Sequence, residues 1–186
     1  MMAPLGANHR DARRRDLTLR RQCRALLSGL DVRPPLDVAA LCARIGQLRG
    51  RPIELVERPI PVPGPFGAWL AGAQADYILY QRETSRAHQD HIILHELGHI
   101  LARHHSDQPD DEALRGLHPD SDPDAVRKAL RRTEYSTAAE LEAELIATII
   151  LEWSAVLAAT AWPLPTTEPA SQRRLAEALA DSRGWL

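Results

Sequence analysis

HIILHELGHILARHH, residues 91–105, sets five histidines and one glutamate into an otherwise apolar stretch of helical period. Ile92, Ile93, Leu94, Leu97, Ile100 and Leu101 supply the apolar positions, and a polar His-Glu-His triplet among them is costly to bury unless something binds it. His95 and His99 stand four apart. On a helix both imidazoles therefore leave one face a turn apart, as two nitrogen ligands of a single tetrahedral zinc require. Glu96 falls on the flank of that face, able to reach a metal-bound water without ligating the metal, which puts a base beside an acidified water. The alternative is a chance H-E-x-x-H. The mid-helix, apolar setting favours a metal site holding one Zn2+ per chain.

The other histidines need sorting. His105 lies ten residues after His95, where the long metzincin motif H-E-x-x-H-x-x-G-x-x-H has its third histidine. At the motif's glycine this chain has Ala102, a strong helix former, and a continuing helix carries His105 away from the metal. The downstream methionine of that group is missing as well, because the only methionines are Met1 and Met2. His104 and His105 are read instead as residues of the helix C-terminus, favoured there by the macrodipole. His91, one turn before His95 on the same stripe, is a candidate to hold a ligand histidine or to face substrate, since a straight helix does not bring three successive turns onto one ion.

A third ligand is offered by YSTAAELEAELIATIILEW, residues 135–153. A long apolar helix carrying Glu140, Glu142 and Glu144 does not bury three carboxylates cheaply, so at least one should face a cation or water. Glu140 and Glu144 share a face, and Ala143, Ile146, Ala147 and Ile150 form a small, apolar stripe for close packing on the HELGH helix. That packing would bring Glu140 to the metal and leave Glu144, a turn later, to hydrogen-bond a ligand histidine. Glu142 points elsewhere and is expected in solvent; a solvated acidic face is the competing account of all three. Tyr135, just before this helix, has a core or capping role or donates to an oxyanion.

Outward from these helices, the pattern is helical, then extended, then helical again. Asp11 to Leu30 reads as an amphipathic helix with an arginine-rich, solvated face, and Leu36 to Ile45 as a second helix stopped by Gly46. Pro52 to Val56, Phe66 to Ala71 and Tyr77 to Gln81 read as strands of a small antiparallel sheet. Helical period runs from Ser85 through His105 and again from Thr137 to Ala159, with shorter helices after Asp122 and over Ser171 to Asp181. The fold class is α+β, a mostly helical single domain whose sheet packs on a zincin-like HExxH helix and a second, glutamate-bearing helix. Residues 1–49 are expected to form an N-terminal helical segment, 50–160 a zincin-like core and 161–186 a C-terminal helical extension of the same unit.

Composition narrows the function classes. A chain of 186 residues with 44% hydrophobic content buries one core but is short for two. A formal net charge of -2 argues against nucleic acid as the main partner, and the two helices of the arginine-rich stretch Asp11 to Ile45 meet at the rigid VRPP, which is unlike a helix-turn-helix turn. Cys23 and Cys42 lack zinc or redox spacing and read as reduced, buried residues. With no apolar run long enough to span a bilayer, the expectation is a soluble, cytoplasmic chain.

HELGHIL, followed about forty residues later by E-x-x-A-E-x-x-A from Glu140, resembles the ImmA/IrrE family of zinc metallopeptidases, which have a thermolysin-like site of two histidines and one glutamate. GRPIELV, DYILY and the YS before the glutamate helix add to the resemblance, which covers roughly Gly50 to Trp153. One departure is that many relatives place an arginine shortly before the HELGH core, where this chain has His88, Asp90 and His91. The resemblance implies His95, His99 and Glu140 as zinc ligands and Glu96 as catalytic base. It also implies a protein substrate, a helix-turn-helix transcriptional regulator encoded nearby, cleaved to relieve repression. An extended peptide would lie along Tyr77 to Gln81 or Phe66 to Ala71. A zinc-bound anti-repressor that sequesters its regulator without cutting it is the alternative, and a purely structural zinc site is a third reading, which the free Glu96 opposes.

Overall fold

The computed structural model describes residues 5–30, 32–60, 63–104 and 135–161. The expected helices after Asp122 and over Ser171 to Asp181, the extension from 162 onward and His105 lie outside the described residues. In chain order the elements are α1 (Leu5–Gly29), α2 (Val38–Arg49), β1 (Ile53–Arg58), β2 (Gly67–Ala71), β3 (Asp76–Gln81), α3 (Arg86–Ala102) and α4 (Thr137–Ala161). Among the described residues this is the α+β arrangement expected, four helices and one small sheet.

Helix α2 starts at Asp37, whose side chain accepts from the Ala40 N–H at 2.9 Å, and it runs a turn past the expected stop. Gly46 lies inside the helix. A Cβ there would sit 3.0 Å from the Ile53 nitrogen and 3.1 Å from the Arg51 carbonyl, so this glycine permits the chain to double back closely over the helix. The terminating glycine is Gly50, left-handed at φ 67, a conformation that costs glycine little.

The sheet order is β1-β3-β2, with β1 parallel and β2 antiparallel to β3. The sheet is thus mixed where an antiparallel one was expected. A tight turn, closed by Gly72 N–H to Ala75 C=O at 2.8 Å, joins β2 to β3. The longer, proline-rich connection after β1 carries the chain past the slot that β3 then fills. Gln81 fastens that connection, accepting from the Ile60 N–H at 3.1 Å and donating to the Ile60 carbonyl at 2.8 Å. Because β3 is central, its backbone is paired on both sides and Tyr77 to Gln81 offers no edge to a peptide; β2 is paired on one side only, but all five of its residues are buried.

Asp76 ties the elements together at the other end of β3. Its buried carboxylate accepts from Arg49 at 2.6 Å, Arg51 at 3.0 Å and the Trp69 indole at 3.2 Å, so each oxygen is satisfied where burial would otherwise be costly. The core runs from Cys23 and Leu27 of α1 through Leu41, Cys42 and Ile45 of α2 to the facing sides of α3 and α4. Both cysteines are free and buried, and burial pushes the Cys42 thiol up to about 12. Most arginine positions of α1 face solvent, while Arg20 reaches Glu152 of α4 at 3.0 Å. Among the described residues no helix is long and apolar enough to cross a membrane.

Helices α3 and α4 cross closely because both present small residues. The stripe Ala143, Ile146, Ala147 and Ile150 is wholly buried, and opposite it stands Gly98, where a Cβ would lie 2.6 Å from the Ala143 carbonyl oxygen. Gly98→Ala gains about 1 kcal/mol of helix propensity but overpacks against backbone, a cost of about 1–3 kcal/mol or more. The expected outcome is net destabilisation in chemical denaturation with weaker metal binding, because Glu140 rides on the displaced helix. A Gly98→Ala chain more stable than wild type would contradict this packing.

Candidate metal centre

The crossing of α3 over α4 determines where the polar side chains meet. His95 and His99, a turn apart on α3, point at the first turn of α4, where Glu140 projects. The Nε2 atoms of the two histidines are 3.2 Å apart, and Glu140 Oε2 lies 3.1 Å from that of His95 and 3.7 Å from that of His99. Three donors of a tetrahedral zinc with bonds of about 2.0–2.1 Å stand about 3.3 Å from one another. The observed triangle fits that edge length, and the three residues form a group compatible with one metal ion. His99 is almost fully buried, whereas His95 and Glu140 open toward solvent, so the group is closed on one side and accessible on the other.

Each histidine is also held through its second nitrogen. His95 Nδ1 is 3.4 Å from Glu144 Oε2, the position anticipated for Glu144, and the same oxygen is 3.3 Å from His91 Nε2. His91 therefore braces Glu144 and lies off the ligand triangle. His99 Nδ1 is 3.0 Å from His104 Nδ1, and His104 Nε2 is 3.2 Å from Glu142 Oε2. His104 stands at the helix end, as expected, but it does not run on along the axis: α3 stops at Ala102, Arg103 turns left-handed at φ 57, and His104 folds back with its N–H on the His99 carbonyl at 3.1 Å. Glu142 is exposed, as expected, and its carboxylate also meets His104.

Glu96 faces the opposite flank. It is 6% exposed, accepts a hydrogen bond from the Trp69 backbone N–H, and has one oxygen, Oε2, buried with no hydrogen-bond partner among the described residues. Burial, and then the nearby Glu140, push its carboxyl up to about 8. A cation held by the triangle would offset that cost, so the unsatisfied buried oxygen supports the same reading of the donor set. Gly67 makes room for the carboxylate, since a Cβ there would meet Ile92 Cγ2 at 2.5 Å and Glu96 Oε1 at 3.2 Å. Tyr135 stacks its ring on His99 with centroids 3.7 Å apart and planes 17° apart. Burial, then Glu96 and Glu140, raise its phenol, which keeps its proton at neutral pH.

The edge of β2 runs beside this carboxylate. Hydrogen bonds from Gln81 N to Phe66 O and from Gly72 N to Ala75 O assign the even positions of β2 to β3, so Gly67, Trp69 and Ala71 turn their backbone groups outward. His104, Glu142, Gly98 and the Trp69 amide were all missed as parts of the site by sequence reasoning. The chain matches no protein-family model and no curated protein.

Proposed function

We propose that this chain is a zinc-dependent endopeptidase of the ImmA/IrrE type, acting on a helix-turn-helix regulator made as a separate polypeptide. The observation that carries the reading is the triangle of His95, His99 and Glu140 with a buried, non-ligating Glu96 beside it and an open side toward solvent. A closed structural site needs no such carboxylate and fills its fourth position with Cys or His. Zinc held there would supply Lewis acidity to a scissile carbonyl and to a water. Glu96 takes the proton of that water and returns it to the leaving amine. The regulator as substrate rests on the resemblance of HELGHIL and of the Glu140 helix to that family. The test is incubation of the zinc-loaded chain with a neighbouring helix-turn-helix protein: the proposal expects new, chelator-sensitive termini by mass spectrometry. An intact regulator that nonetheless co-purifies with the chain would favour sequestration.

A further inference from the structure

We propose that His104 and Glu142 are positioning residues for His99, forming a hydrogen-bonded chain that fixes its tautomer and ring for metal binding. This rests on the metal-site reading above and extends it to residues outside the ligand triangle. An imidazole that ligates through Nε2 keeps its proton on Nδ1. The Nδ1 of His99 faces the Nδ1 of His104 at 3.0 Å, so His99 donates and His104 accepts. His104 then carries its own proton on Nε2, which faces Glu142 Oε2 at 3.2 Å and donates to it. Every proton in the chain has a single place, and each points away from the metal toward the carboxylate. The reverse direction would put a proton on His99 Nε2 and abolish the ligand.

The left-handed end of α3 brings this contact about. Arg103 is the only non-glycine residue with positive φ among the described residues, at φ 57, where an L side chain costs about 1 kcal/mol relative to glycine. That turn ends α3 and swings His104 back over His99 in place of carrying it onward along the helix axis. The Tyr135 ring, stacked on His99 and 6.3 Å from the His104 ring, closes the other side, so the His99 imidazole is gripped from its face and from its edge. His95 has a matching arrangement in Glu144, a carboxylate placed directly on its Nδ1. The two ligand histidines are thus oriented by different devices, one direct and one relayed through a second imidazole.

The experiment measures zinc affinity of the full-length chain by chelator competition at fixed neutral pH, with the visible spectrum of the cobalt-loaded chain recorded alongside. His104→Phe should bind metal about 10–100-fold more weakly than wild type, with an altered cobalt spectrum. His104→Asn, whose side-chain oxygen can still accept from His99 Nδ1, should recover most of the loss and the wild-type spectrum. A purely structural role predicts the opposite order, because Phe keeps a ring beside Tyr135 and Asn does not. Equal affinity of His104→Phe and wild type, or equal loss in His104→Phe and His104→Asn, overturns the proposal. Should His104→Phe fail to fold, the half-exposed Glu142 carries the test: Glu142→Leu is expected to bind more weakly, by at least about threefold, and Glu142→Gln to bind as wild type, while an unchanged Glu142→Leu overturns it. A wild-type chain that takes up neither zinc nor cobalt removes the metal-site reading itself and this proposal with it.

Discussion

Glu96→Gln is expected to keep the metal and lose the chemistry. The substitution preserves the shape of the side chain and its acceptance from the Trp69 N–H, while removing the group proposed to take a proton from water. Glu96 is outside the ligand triangle, so zinc content should equal that of wild type. Cleavage of a helix-turn-helix substrate should fall by at least about 10²–10⁴-fold, the range supplied by a general base, with substrate binding unchanged. The variant also relieves a buried carboxyl of its desolvation cost, so the folded chain should be no less stable than wild type. Measuring zinc content, binding and cleavage on one preparation separates the two readings. Undiminished cleavage would show that Glu96 is not the base; relief of repression in cells without cleavage would make sequestration the function.

The second large effect concerns the ligands. His95→Ala and His99→Ala are each expected to leave the purified chain without stoichiometric zinc, because either removal reduces the donors to two, too few to hold the ion against competing chelators. Glu140→Ala should weaken binding strongly as well. Glu142→Ala should cost far less, since its carboxylate reaches the site only through His104. The order His99 or His95, then Glu140, then Glu142 is the fingerprint of this geometry, read by metal content after dialysis and by chelator competition. Identical affinities for the Glu140 and Glu142 variants would mean that α4 contributes no ligand.

Much of the site was legible in the sequence because helices convert spacing into direction. His95 and His99 at i and i+4, Glu96 on the flank, and Glu140 with Glu144 a turn apart on a second helix all follow from period alone. The apolar stripe of α4 was legible for the same reason, and its four residues are buried, together with Ile149. The partner stripe was not. Gly98 reads in a sequence as a weak point of a helix, and only the crossing reveals that a Cβ would strike Ala143.

What stayed hidden depended on where the chain turns without a signal. Gly46 looked like a helix stop, yet the left-handed residue is Gly50; nothing local separates a glycine needed for φ from one needed for close approach. Arg103 adopts the left-handed conformation with no glycine to announce it, so His104 was expected along the helix axis and is found on His99. The sheet was expected to be antiparallel because strand period carries no information about order. That β3 slots between β1 and β2 shows only in the fold, where Gln81 of β3 holds Ile60 just after β1.

The most direct test of the metal centre is an anomalous difference map at the zinc edge from crystals of the zinc-loaded chain. The account predicts one strong peak per chain, about 2.0–2.1 Å from His95 Nε2, His99 Nε2 and a Glu140 oxygen, with Glu96 outside bonding distance and His104 on the far nitrogen of His99. A peak ligated by His104, His91 or Glu142 in place of that triangle, or no peak at all from a zinc-saturated crystal, would contradict it.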